Sequence, residues 1–119
     1  MSFRFLFWTA VILLVFSGTA GWFFHGDREE DPNVLQLRAY KVQLDSERRA
    51  AEKGGAPDWT RYADSLRDAP ETLKDVKEAM RWFRKAADEG YAPAQVAIGK
   101  MYETGLGVQP DYHRAHEWY

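Results

Sequence analysis

Apolar positions in the second half of the chain recur at helical spacing. Trp59, Tyr62, Ala63 and Leu66 fall at i, i+3, i+4 and i+7, a single stripe on one helix. Pro57 suits the first turn of that helix, and Asp58 complements its dipole. Val76, Ala79, Met80, Phe83 and Ala87 make the next stripe, and Trp82 and Ala86 widen it into a second face. Two apolar faces are what a helix inside a stack needs, because it packs on its own partner and on the next unit. A helix over about Asp75 to Glu89 is therefore expected, closed by Gly90. A fourth helix starts at Pro93 and points Ala94, Ala97, Ile98, Met101 and Tyr102 inward. A fifth begins near Asp111. Upstream, Leu37, Tyr40, Leu44 and Ala51 share one face of a helix over about Val34 to Lys53, with Asn33 as N-cap and Gly54-Gly55 as the stop.

The connections carry matching signals. Arg67 to Lys74 contains Pro70 and links the second and third helices. Thr104 to Pro110 links the fourth and fifth. Gly105 and Gly107 can take positive φ there, and Leu106 and Val108 are expected to tuck inward. Gly99 lies inside the fourth helix, where glycine costs about 1 kcal/mol against alanine. That cost predicts a close approach by another backbone.

These elements repeat at a spacing of 36 residues. Ala79 recurs as Ala115, Trp82 as Trp118 and Phe83 as the aromatic Tyr119. Backwards, Arg48 to Gly54 aligns with Arg84 to Gly90, Ala56-Pro57 with Ala92-Pro93, and Asp75 with Asp111. A fixed period of this size predicts an all-α fold, an α-solenoid of antiparallel helix pairs. Such arrays work as extended binding surfaces. The echo weakens toward the N-terminus, where Ser46-Glu47 stands one period before Trp82-Phe83. A polar face suits a terminal capping repeat.

Residues 5–24 break the pattern. This stretch of 20 residues is almost wholly apolar and uncharged, and as a helix of about 30 Å it matches a bilayer core. It reads as an uncleaved transmembrane anchor, with Trp22 and Phe23-Phe24 at the far interface. The alternative is a signal peptide cleaved after Gly18-Thr19-Ala20, leaving a secreted or periplasmic protein. Arg4 precedes the segment, and Asp27-Arg28-Glu29-Glu30-Asp31 follows it. The positive-inside rule then puts the N-terminus in the cytoplasm and the repeats on the non-cytoplasmic side. The organisation expected is an anchor or signal peptide over 1–26 and a linker over 27–33. A degenerate capping repeat over 34–74 and a repeat region over 75–119 follow.

The full set of spaced residues narrows the family. It comprises Ala94-Gln95, Ile98-Gly99-Lys100-Met101-Tyr102, Gly105-Leu106-Gly107-Val108, Asp111, Ala115 and Trp118-Tyr119. One period earlier stand Ala79, Trp82-Phe83, Lys85-Ala86-Ala87 and Gly90. This pattern resembles the Sel-one-like repeat (SLR) family, relatives of the tetratricopeptide repeats with a slightly longer period. The resemblance implies adaptor or scaffold roles in assembling complexes. In the family pattern a Lys-Ala-Ala run and a closing glycine would follow Trp118-Tyr119, so the array is expected to continue past Tyr119.

Composition removes several functions. Without cysteine there is no disulfide framework and no thiolate zinc site. A net charge of −2 without a basic run argues against a nucleic-acid partner. His113, His116 and Glu117 lie on one helix, but two histidines without a further ligand are expected to be structural or exposed. Glu71, Asp75 and Glu78 read as complements to a helix dipole. Arg48-Arg49 and Arg81, Arg84 and Lys85 read as solvated helix faces among acidic neighbours. Trp82, Phe83, Trp118 and Tyr119 read as core, since they recur with the repeat. Gly105-Leu106-Gly107 follows a helix and has no Lys-Ser/Thr element, so it is not a phosphate loop. No catalytic, metal or cofactor site and no small-molecule substrate is expected.

The chain is thus expected to be a non-enzymatic, membrane-anchored scaffold. It would bind a protein or peptide on the concave face of the solenoid and hold the membrane through residues 5–24. The alternative is an envelope hydrolase or carbohydrate-binding factor whose active region lies past Tyr119. That reading requires solvent-exposed Trp59, Trp82 and Trp118.

Overall fold

The computed structural model describes residues 30–119. The expected anchor or signal peptide over 1–26 and the start of the linker lie outside the described residues. The chain divides into Met1–Pro32 and Asn33–Tyr119. The described residues form five helices and no strand: α1 Pro32–Lys53, α2 Ala56–Asp68, α3 Val76–Asp88, α4 Ala92–Thr104 and α5 Tyr112–Trp118. None of these is long and apolar enough to cross a membrane.

Local chemistry sets the boundaries. The Asp75 carboxylate accepts from the Glu78 backbone N–H at 2.9 Å, and Asp111 accepts from Arg114 N–H at 3.0 Å. Each therefore satisfies a donor that the first helical turn leaves free. Pro57 and Pro93 stand in the first turns of α2 and α4. Gly90 closes α3 at φ 80°, with Tyr91 N–H donating to Ala86 O at 3.2 Å, and Gly105 closes α4 at φ 72°. The start of α1 differs from expectation. It begins at Pro32, whose fixed φ suits a first helical position, so Asn33 lies inside the helix instead of capping it. Gly54, just past the end of α1, is not in a left-handed turn, and its lack of a side chain has another reason. A Cβ there would collide with the Asp58 carboxylate, which reaches back to accept from Gly55 N–H at 3.4 Å.

The 36-residue period reappears as repeated hydrogen bonds. Asp75 N–H donates to Leu66 O at 3.4 Å, and Asp111 N–H to Tyr102 O at 2.9 Å. Trp59 Nε1 donates to Ala51 O at 2.9 Å, and Gln95 Nε2 to Ala87 O at 3.4 Å, although an indole has been replaced by an amide. Packing runs in sequence, α2 on α3, α3 on α4 and α4 on α5. Phe83, Ile98 and Met101 fill the core, flanked by fully buried Ala63, Ala79, Ala86 and Ala94. Alanine at these positions lets helices approach closely, and the larger side chains fill the remaining space. All five inward positions expected of α4 are buried.

α1 lies antiparallel to α2, with Tyr40 Oη donating to Ser65 O at 2.8 Å near one end and Ala51 against Trp59 near the other. Leu37, Tyr40 and Leu44 are half-buried along its inner face, and Ala51 is its only buried residue. Glu47 completes that stripe, in the register that Phe83 occupies one period later. Its Oε1 accepts from Gln43 at 3.0 Å, but its Oε2 is buried without a hydrogen-bond partner. A buried acceptor left unsatisfied costs about 1–3 kcal/mol. Glu47→Leu is accordingly expected to stabilise the fold by about that amount, read as a higher urea midpoint at unchanged slope. A lower midpoint would show that the carboxylate is adequately solvated where it lies.

Candidate functional site

The α3, α4 and α5 helices and the loop between the last two enclose a groove of about 470 Å3. That volume is within the range of ligand-holding clefts. α3 contributes Arg84, α4 contributes Tyr102, and α5 contributes Arg114 together with its capping residue Asp111. The loop supplies a wall of Val108, Gln109 and Pro110. The loop's path depends on Gly105 and Gly107, at φ 72° and 71°. Val108 is half-buried against the core, as expected, whereas Leu106 is 36% exposed and does not tuck in.

Tyr102 is the floor of the groove. Its ring is buried, and its hydroxyl oxygen accepts from Arg84 Nη2 at 3.0 Å. The Arg114 guanidinium lies 5.8 Å from the ring centroid. Arg114 beside the phenol lowers its pKa; burial opposes this, and Arg84 acts in the same direction. Arg114 also pairs with Asp111 at 3.5 Å. Arg84 has no carboxylate partner among the described residues, only the neutral phenol.

One period earlier, the corresponding junction of α1, α2 and α3 has the opposite electrostatics. Arg48 stands in the register of Arg84, but Glu78 stands in the register of Arg114. Glu78 Oε1 accepts from Tyr62 Oη at 3.4 Å and from Trp82 Nε1 at 3.3 Å. Burial, with Glu78 beside it, pushes the Tyr62 pKa up to about 12. Trp82 meets Tyr62 edge-on, ring centroids 5.4 Å apart at 82°. Lys85 Nζ lies 4.0 Å from the Trp59 centroid and 5.0 Å from that of Trp82, so a cation–π pair covers this junction. At the first junction a carboxylate from within the chain meets the aromatic side chains, whereas at the second an arginine, Arg114, stands in that register.

The residues singled out in the sequence are dispersed. His113, His116 and Glu117 are all exposed. His116 shares the register of Met80, yet Met80 is buried on α3, which packs on both α2 and α4, while α5 packs mainly on α4. No cluster of metal-ligating side chains occurs among the described residues. Glu71 pairs with Lys74 at 2.6 Å, Asp75 caps α3 and Glu78 serves Tyr62 and Trp82. Arg48 pairs with Glu52 at 3.3 Å on the exposed face of α1. Of the aromatic stripe, Phe83 is core, Trp82 and Trp118 pack half-buried against it, and Trp59 is 8% exposed. Tyr119 departs from that reading. It is 58% exposed and donates to Glu103 Oε2 at 2.7 Å. Its ring also explains Gly99, where a Cβ would lie 2.7 Å from Tyr119 Cε1. The close approach is thus by a side chain, not by a backbone. Among the groove residues, Arg84 read from sequence as part of a solvated helix face, Asp111 as a helix start and Tyr102 as core, and Gln109 and Arg114 carried no signal.

A model of the Sel1 repeat matches residues 63–91 and 92–119. The second match spans α4, the glycine loop and α5; the first spans the end of α2, its connection and α3. Chitin synthase regulatory factor 3 of Schizosaccharomyces pombe is 50% identical over 46 residues, covering 39% of this chain and 5% of that protein. Chitin synthase regulator SKT5 of Saccharomyces cerevisiae is 38% identical over 50 residues, covering 42% of this chain and 7% of that protein. The chain therefore spans a small part of the length of these relatives. Two solved structures share the fold. One is c5321, a protective antigen of uropathogenic Escherichia coli strains displaying an SLR fold. Its TM-score is 0.59 at 39% identity, covering 64% of this chain and 16% of that one. The other is a Sel1 repeat protein from Oxalobacter formigenes, with a TM-score of 0.50 at 27% identity, covering 77% of this chain and 26% of that one. Residues 63–91 and 92–119 are two Sel1 repeats in tandem.

Proposed function

We propose that the two Sel1 repeats make this chain a protein-interaction adaptor that receives a partner polypeptide in the groove between α3 and α5. The observation that carries the reading is that groove. It is an open junction between stacked helices, lined by Arg84, Tyr102 and Arg114 and walled by Val108, Gln109 and Pro110. Repeat arrays present such inter-helix surfaces for binding. The residues that recur with the period serve packing, capping and turns. The curated relatives are by name regulators of chitin synthase. By analogy, this chain acts on the activity of another protein instead of on a substrate of its own. Residues 5–24 anchor the adaptor in a membrane in this reading, with the repeats on the non-cytoplasmic side.

Site-specific photocrosslinking of the full chain in alkaline-washed membranes tests both parts. A photoreactive residue in place of Arg81, one turn from Arg84 on α3, is expected to trap a discrete polypeptide. The same residue in place of the exposed Val96 on α4 is not. Equal labelling from both positions would overturn the groove as the partner site. Loss of the chain into the alkaline wash would overturn the anchor.

A further inference from the structure

We infer that Arg84, Tyr102 and Arg114 form a subsite for the side-chain carboxylate of an acidic residue, in an extended segment of the partner polypeptide. The inference rests on the adaptor reading and assigns the chemistry of its groove. The exposed Arg84 guanidinium spends one donor on the Tyr102 hydroxyl at 3.0 Å, and its remaining N–H groups have no acceptor among the described residues. A guanidinium offers five donors in a rigid fork that matches a carboxylate bidentately. The buried phenol holds that fork in place, so little side-chain freedom is left to lose on binding.

The charge count selects the ligand. The groove is lined by two arginines and one aspartate, a net charge of +1. Asp111 already neutralises part of Arg114 and would repel a dianion. A monoanionic carboxylate complements this arrangement better than a phosphate does. The rest of the lining suits a polypeptide. Val108 and Pro110 offer apolar contact, and the Gln109 amide can meet a backbone group. The contrast with the preceding junction supports the assignment. There Glu78 supplies a carboxylate from within the chain, accepting from Tyr62 and Trp82. In its register the second junction has Arg114, so this helix supplies no carboxylate to the groove at that position.

The test is fluorescence anisotropy of the full chain with a labelled, end-blocked hexaglutamate peptide at low salt, with hexaglutamine as control. Saturable binding of hexaglutamate alone is expected. Arg84→Gln should weaken it about tenfold or more, since charge-assisted bidentate bonds are the strong ones. Arg84→Lys should recover only part, because the fork is lost. Tyr102→Phe, which removes only the hydroxyl that positions Arg84, should weaken it severalfold at an unchanged melting temperature. Arg61→Gln removes the same charge from the remote face of α2 and should leave binding within about twofold. Equal losses from Arg61→Gln and Arg84→Gln would reduce the effect to net charge and overturn the subsite, as would absence of saturable binding. Displacement by equimolar inorganic phosphate would overturn the carboxylate assignment. If Arg81 crosslinks a discrete polypeptide while Arg84→Gln leaves hexaglutamate binding unchanged, the adaptor reading stands and only this inference fails.

Discussion

Phe83→Ala is expected to remove about 3–5 kcal/mol from the stability of the repeat region, the usual range for deleting a buried aromatic side chain. Phe83 is fully buried on α3, the helix that packs on both α2 and α4. Its ring also takes the Arg67 guanidinium 5.7 Å from its centroid, so truncation removes a polar contact as well as apolar area. A domain of this size has roughly 5–15 kcal/mol in total, and each kcal/mol moves its midpoint by about 4–8 °C. A fall of at least about 12 °C in the melting temperature of the full chain follows, read by tryptophan fluorescence. Tyr119→Ala is the paired measurement, since Tyr119 holds the same repeat register at 58% exposure. It should cost less than about 1 kcal/mol. Comparable losses would mean that register alone decides the energetics and that the local neighbours of Phe83 do not.

That comparison shows what the sequence could and could not disclose. Packing stripes, caps and turn glycines are properties of single helices and their ends. They were therefore legible: the five helices, the positive-φ glycines and the inward face of α4 all follow from local pattern, whereas Asp75 read as a helical residue and proved to be the cap. Environments that depend on which helix lies opposite were not legible. Glu47, Phe83 and Tyr119 share one register but lie respectively at a half-buried carboxylate, in the core and at an exposed ring. His116 faces solvent where Met80 is packed, and Gly99 answers to the ring of Tyr119. The candidate site was the least visible part. Arg84, Tyr102 and Arg114 come from three helices, and the period relates Arg84 to Arg48 but Arg114 to Glu78. A search for recurring residues passes over a site made by the position where the recurrence fails.

Gly107→Ala is expected to destabilise the repeat region by roughly 2–5 kcal/mol and to distort the groove at the same time. Two independent effects add at this residue. Its φ of 71° lies in the left-handed region, which costs an L-residue with a Cβ about 1–2 kcal/mol. The added Cβ would also lie 2.5 Å from Val76 Cγ1 and 3.2 Å from Val76 Cβ, at the first turn of α3. Overpacking of that kind typically costs about 1–3 kcal/mol, and Val76 cannot readily yield because it is packed against the core. Gly90 separates the two contributions. It has φ 80° but open space around it, so Gly90→Ala should show the backbone cost alone. Urea melts of the two variants should therefore differ by about 1–3 kcal/mol. The functional consequence comes from position. Val108, Gln109 and Pro110 follow Gly107 directly and form the groove wall, and Asp111 behind them caps α5 and pairs with Arg114. Relief of the clash by moving the loop away from α3 displaces that wall and the α5 cap from Arg84. Gly107→Ala should then weaken hexaglutamate binding in the residual folded protein, whereas Gly90→Ala should leave it unchanged. Equal stability losses in the two variants would show that the contact with Val76 is relieved without cost, and that the loop is not held against the start of α3.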